Sequence, residues 1–208
     1  MRLFRLSLML SGAALLLGAG PAQALTFNFT SDHCSGTGGC GTPPFGTITL
    51  TQNGANVDVT VHLLPPNLFA KTQAVDLQAF KFNATGVVVG DITVDQTVTG
   101  QTLAAQTGAF NGNGTGTFAF GIQCTTCMNG ASDAFSDDIV FHVASATIAD
   151  LTAPNGNGNI FVADILSSAA GGGTGNTGPV DVSQVPEPAT AAMLGLGLFG
   201  LAAAGRRR

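Results

Sequence analysis

The chain has 208 residues, of which 45% are hydrophobic and only 9% are charged, and its formal net charge is −5. All five arginines lie in the two terminal segments, and between them stand twelve acidic residues with Lys71 and Lys81 as the only lysines. Such an acidic surface repels a polyanion, which excludes nucleic acid as a partner, and the length suffices for one domain with its own core.

The first 24 residues have the pattern of an export signal. Two arginines precede a short apolar run over residues 6–18, and Ala22 and Ala24 supply the small side chains of a cleavage site. We therefore predict a signal peptide over residues 1–24 and a mature chain that begins at Leu25. An uncleaved membrane helix is the alternative interpretation.

The segment that follows alternates apolar and polar residues with a period of two, which predicts β-strands rather than helices. The clearest pair, residues 47–51 and 57–63, is separated by Asn53-Gly54 and predicts a hairpin that ends before Pro65-Pro66. The apolar phase slips between Ala79 and Phe80, which predicts a bulge or a strand buried on both faces. Further strands are predicted over residues 25–30, 75–82, 87–94, 97–99, 118–122, 139–143 and 160–166, with one helical turn over 147–151.

This pattern predicts an all-β fold. About eight short strands with almost no helix favour an antiparallel β-sandwich over residues 25–166, for which a jelly roll is one arrangement. Twelve phenylalanines between Phe27 and Phe161 would supply most of its core. An N-terminal signal helix and a C-terminal transmembrane helix are expected to flank this domain.

The four cysteines form two close pairs in sequence, Cys34 with Cys40 and Cys124 with Cys127. In an exported protein the expectation is two disulfides, and the short spacings favour local bonds over crossed ones. Crossed pairing, a redox-active Cys124–Cys127 pair and a four-cysteine zinc site are the alternatives.

Candidate catalytic groups are sparse, and we expect no catalytic residue, no metal site and no enzyme. His62 and His142 occupy polar-facing positions of predicted strands, which indicates solvent-facing side chains. No cofactor is expected, although Asp133, Asp137 and Asp138 offer the oxygen ligands that calcium prefers. A secreted hydrolase that uses Asp137 and Asp138 as acid and base is the least favoured alternative.

Residues 167–184 are rich in glycine and lack apolar periodicity, which predicts an unordered linker. Such a linker would hold the domain away from the membrane and expose the segment that follows.

The chain closes with three features in a fixed order. A Pro-Glu-Pro tripeptide is followed by an uncharged apolar run over residues 189–204 and then by an arginine cluster. The run is just long enough to approach the thickness of a bilayer core, and the arginines favour the cytoplasmic side. We therefore predict a marginal transmembrane helix, with the tripeptide Pro186, Glu187 and Pro188 before it and the membrane-stop cluster Arg206, Arg207 and Arg208 after it.

This order resembles the PEP-CTERM sorting signal of Gram-negative bacteria that make exopolysaccharide, over Val185–Arg208 alone. The resemblance implies processing near Pro186–Pro188 by an exosortase, a transient anchor in the inner membrane, and delivery to the outer surface or the extracellular matrix. We expect a non-enzymatic surface or matrix protein associated with exopolysaccharide in a biofilm. A specific binding module for carbohydrate or ice is the alternative, although Thr47, Thr49 and Thr51 make only one row of threonines.

Overall fold

The computed structural model describes residues 23–72 and 77–183. The predicted signal sequence up to Ala22, and the predicted transmembrane helix with its Pro-Glu-Pro and arginine segments, lie outside these residues. Between them the chain is all-β, as expected. Its strands are β1 (Ala24–Phe29), β2 (Ser31–Asp32), β3 (Gly46–Asn53), β4 (Asn56–Leu63), β5 (Asn67–Lys71), β6 (Phe80–Phe82), β7 (Ile92–Val94), β8 (Leu103–Asn111), β9 (Thr117–Cys124), β10 (Gly130–Phe135), β11 (Ile139–Val143), β12 (Asn159–Ser167) and β13 (Thr177–Ser183).

Five strands form one antiparallel sheet in the order β1-β3-β4-β11-β7. Its centre is the predicted β3–β4 hairpin, in which Thr49 lies opposite Thr60 and the turn closes at Asn53 and Asn56. Gly54 in that turn has a φ of +60°, a conformation that glycine adopts without the steric cost of a Cβ. The alternation of the two strands buries their apolar side chains and leaves their threonines on the outer face.

The second sheet has eight antiparallel strands and is built around β12. One edge of β12 pairs with β13, and its other edge pairs with both β5 and β6. Beyond these, β10 lies next to β5, β9 and β8 follow β6, and β2 pairs with β13. The strand predicted over residues 160–166 from its near-continuous apolar sequence is therefore a central strand of this sheet.

The inner faces of the two sheets meet through phenylalanine rings. Phe141 of the five-stranded sheet packs against Phe80 and Phe82 of the other sheet, with ring centroids 5.9 and 5.1 Å apart. Phe27 and Phe161 make a further contact between the sheets at 5.6 Å. The phenylalanines thus form the centre of the core, as the sequence predicted.

The β6 strand is buried on both of its faces, which explains the slip in apolar phase before it. Phe80 and Phe82 enter the core between the sheets, and Lys81 between them is also completely buried. The predicted strand over residues 75–82 is confirmed only for 80–82, and residues 73–76 lie outside the described part.

Several predicted elements need correction. Residues 89–91 form a 3₁₀ turn and 97–99 form no strand, so the strand predicted over 87–94 is limited to β7. Conversely, β8 and β10 were not predicted. Both lie next to a single partner strand, and their alanine, glycine, glutamine and aspartate residues lack clear apolar alternation. The predicted helical turn is confirmed as α1 (Ile148–Leu151).

The prediction of an unordered linker over residues 167–184 is wrong for residues 167–183, the part of it that the structure describes. Ser167 ends β12, and β13 pairs with β12 from Thr177 to Ser183. Val180 and Val182 of β13 are 0% and 2% exposed, because their side chains complete the core. The glycine-rich stretch between these strands is a connection within the domain, so the domain extends to the end of β13.

None of the helices in the described ranges has the length and apolar character needed to cross a bilayer.

Candidate functional site

The outer face of the five-stranded sheet carries rows of short polar side chains, and we call it the polar face. Thr26, Thr49 and Thr60 lie opposite one another on three neighbouring strands, so they form a row across the sheet. Their β3 neighbours Thr47 and Thr51 extend it along the strand. Adjacent strands lie about 4.8 Å apart, and alternate residues of one strand about 6.7 Å apart. The threonines therefore form a two-dimensional array, whereas the sequence indicated only one row.

Two threonines of this array contact each other directly. The hydroxyl oxygens of Thr26 and Thr49 are 3.2 Å apart, which is hydrogen-bond distance. Because threonine is branched at Cβ and restricted in χ1, such a surface presents its hydroxyl and methyl groups with little rotational freedom. The array can contact a ligand through both groups.

One imidazole on the polar face lies between two carboxylates. His142 of β11 lies opposite Asp58 of β4, and its Nδ1 is 2.7 Å from Oδ1 of that aspartate. Its Nε2 is 3.2 Å from Oδ2 of Asp95, which follows β7. The hydrogen bond that the imidazole donates to Asp58 raises the pKa of His142 against the opposing effect of burial, and Asp95 adds to the rise. The same hydrogen bond lowers the pKa of Asp58.

A second carboxylate–imidazole pair lies at the other end of these strands. Nδ1 of His62 is 2.7 Å from Oδ1 of Asp138, the residue that precedes β11. The hydroxyl of Thr97 donates to the backbone carbonyl of Asp138 at 2.6 Å. Both histidines face outward, as their polar-facing positions predicted. Their acidic partners were not predicted, because the residues are far apart in sequence and only the strand register brings them together.

The three aspartates considered for calcium serve separate contacts. Asp138 pairs with His62, Asp133 accepts the backbone N–H of Met128 at 2.7 Å, and Asp137 is exposed. Within residues 23–72 and 77–183, the metal-ligating side chains that lie close enough to share one ion are Asp32, Cys34 and Cys40. The two sulfurs of that group are joined to each other, so they are not free thiolates.

Both disulfides are local, which confirms the favoured pairing. Cys34 bonds Cys40 with a Cα–Cα distance of 5.2 Å, and Cys124 bonds Cys127 at 5.4 Å. Oδ1 of Asp32 accepts the backbone N–H groups of both Cys34 and Cys40 at 3.3 Å and so supports the first loop. Crossed pairing and a zinc site that uses all four thiolates are inconsistent with this arrangement.

The two lysines of the domain are in its interior. Nζ of Lys81 is 2.9 Å from Oδ2 of Asp164, and both side chains are almost completely buried. The buried Lys71 donates from Nζ to the backbone carbonyl of Cys127 at 3.2 Å. In the described part of the chain the exposed charges are therefore carboxylates and, when protonated, histidines. The surface is more strongly anionic than the composition alone indicates.

The end of the chain matches a known family. Residues 184–208 match the family model of the PEP-CTERM protein-sorting motif, which confirms the resemblance found over Val185–Arg208. This motif indicates an exported protein that an exosortase sorts and processes at the membrane. No curated protein and no solved structure matches the chain.

Proposed function

We propose that this chain is a non-enzymatic protein of the cell surface or extracellular matrix, and that its polar face associates with exopolysaccharide in a biofilm. The sorting motif at residues 184–208 supports the placement. In this proposal the tail is a transient anchor in the inner membrane of a Gram-negative cell, and exosortase processing delivers the domain to the outside.

The array of threonines on the polar face is the observation that carries the binding part of the proposal. Thr26, Thr49 and Thr60 offer hydroxyl groups at regular spacing on three paired strands. Sugar hydroxyls hydrogen-bond to such groups, and the threonine methyl groups pack against the apolar faces of a sugar ring. Both lysines of the described domain are buried, and carboxylates remain as its exposed charges. Because carboxylates repel an anionic polymer, a neutral polysaccharide fits this surface better than an anionic one.

The test is co-sedimentation of the exported protein with the polysaccharide of its own host. The variant Thr49→Gln enlarges the centre of the array, and Thr117→Gln makes the same change at an exposed position of the other sheet. We expect Thr49→Gln to lower the bound fraction and Thr117→Gln to leave it unchanged. If the wild-type protein stays in the supernatant at every polysaccharide concentration, the binding proposal is wrong.

The same array favours one second candidate, a module that binds an ordered surface such as ice. A two-dimensional set of threonines on a rigid sheet can match a repeating lattice, which one row cannot. Thermal hysteresis and the shape of ice crystals grown in the protein distinguish this candidate from polysaccharide binding. Unchanged freezing behaviour at high protein concentration would eliminate it.

A further inference from the structure

The folded domain reaches much closer to the sorting motif than the predicted linker would allow. The last strand, β13, runs to Ser183, which pairs with Asn159 at the start of β12. Five residues, 184–188, separate Ser183 from Ala189, the first residue of the apolar run. Even fully extended, such a segment spans at most about 20 Å. A membrane anchor that begins at Ala189 therefore holds the folded domain next to the bilayer.

The N-terminal end of the domain leaves from the same side. The backbone N–H of Gln52 donates to the carbonyl of Gln23 at 2.8 Å. The side-chain amide of Gln52 donates to Ala146 and accepts from the backbone N–H of Ile148, both at 3.0 Å. The latter two residues belong to the connection from β11 to β12, and this connection leads directly to Asn159. We call this side of the domain, defined by the start of β1, residues 144–158 and Ser183, the tether end.

Three exposed apolar side chains lie at the tether end, at the two opposite edges of the five-stranded sheet. Across the described ranges, Leu25, Val88, Val89 and Met128 are the exposed large apolar side chains. Leu25 lies in β1, and this strand begins beside Gln52. The two valines, 64% and 37% exposed, lie in a loop whose Thr85 N–H donates to the carbonyl of Asp150 at 3.0 Å. Three of these four side chains are therefore at the end where both chain termini leave the domain.

The acidic groups at this end are engaged in local hydrogen bonds. The carboxylate of Asp91 accepts the backbone N–H of Val88 at 3.0 Å, and that of Asp150 accepts the N–H of Thr147 at 2.8 Å. Exposed apolar side chains at one end of a domain can contact either a protein or a membrane. The short tether selects the membrane.

We propose that the tether end is the surface of the domain that faces the lipid bilayer while the tail is attached, with Leu25, Val88 and Val89 against the headgroups. This inference rests on the proposed anchoring of the tail in the membrane. Because no spacer separates β13 from the motif, the sorting enzyme cuts beside a folded domain. A cut upstream of Ser183 would remove part of the core.

The experiment uses the full chain reconstituted in phosphatidylcholine vesicles that contain a lipid with a headgroup quencher. One fluorophore is attached through Gly156→Cys, where an added Cβ meets no atom within 4 Å. The matched control is Ser136→Cys, an exposed position that precedes Ile139 at the opposite end of β11. We expect the label at position 156 to lose most of its fluorescence and the label at position 136 to lose little.

Equal quenching of the two labels in chains that float with the vesicles would overturn the orientation but leave the anchoring intact. Chains that fail to float would overturn both. A second comparison places a Gly-Ser spacer of about 20 residues after Ser183, long enough to free the domain. In that chain we expect Val88→Ser to reduce quenching at position 156, whereas Met128→Ser, an exposed apolar position at 61%, should not. Equal effects of these two variants would show that the valines do not contact lipid.

Discussion

The assignment of residues 177–183 to the core can be tested by one substitution, Val180→Ala. Val180 is 0% exposed and lies between Ala163 of β12 and Asp32 of β2. The change removes two buried methyl groups, worth about 0.8 kcal/mol each, and it leaves a cavity that adds to the cost. We therefore expect the free energy of unfolding to fall by roughly 2–3 kcal/mol.

The assay is urea unfolding of the exported protein with its disulfides intact. With a urea dependence of about 2 kcal/mol per M, the expected loss lowers the midpoint by roughly 1–1.5 M. The control Val88→Ala removes the same atoms from a side chain that is 64% exposed, and its effect should stay within about 0.5 kcal/mol. If Val180→Ala unfolds at the wild-type midpoint, β13 does not belong to the core and the short tether fails with it.

Three further predictions concern buried and paired charges and a disulfide. Asp164→Asn removes a buried carboxylate partner of the Lys81 ammonium group, so we expect the free energy of unfolding in urea to fall by about 1.5–3 kcal/mol, and a stability equal to wild type would contradict the ion pair. The double substitution Cys34→Ser/Cys40→Ser opens a short disulfide loop, and we expect it to lower the free energy of unfolding by about 2 kcal/mol. The control is the same double change at Cys124 and Cys127, which close a smaller loop and should therefore cost less stability. NMR titration should give His142 a pKa above 6.5 that falls in Asp58→Asn. Because the pKa of His142 is raised in the folded state, its contribution to stability is complete below pH 6.5 and is lost as the pH rises through the folded pKa. The pKa of Asp58 is lowered from 3.8, so its contribution is lost on acidification through the folded pKa. A His142 pKa that Asp58→Asn leaves unchanged would contradict the pairing.

Local sequence patterns were sufficient to predict those features of the structure that depend on residues close together in the chain. The β3–β4 hairpin followed from two alternating runs around Asn53-Gly54, and the short cysteine spacings predicted both disulfides. The sorting motif was also readable, because its three parts are contiguous at residues 184–208. Such signals need no knowledge of the rest of the fold.

Long-range pairing hid other features from sequence reasoning. Residues 177–183 were predicted to belong to a linker because a glycine-rich sequence precedes them. Their pairing with β12 nevertheless places Val180 and Val182 in the core. Nor did the sequence indicate that Lys81 is buried beside Asp164, because the two residues are far apart in the chain. In each case the deciding contact lies more than ten residues away, where composition carries no information about it.

The sequence by itself determined the class of fold, the disulfide partners and the sorting motif, because period-two alternation, spacing and contiguous motifs are local properties of the chain. Only the tertiary structure decided the threonine array, the carboxylate partners of His62 and His142, and the extension of the domain to Ser183. These depend on strand register, since a shift of one residue would turn every side chain of a strand to the opposite face of its sheet.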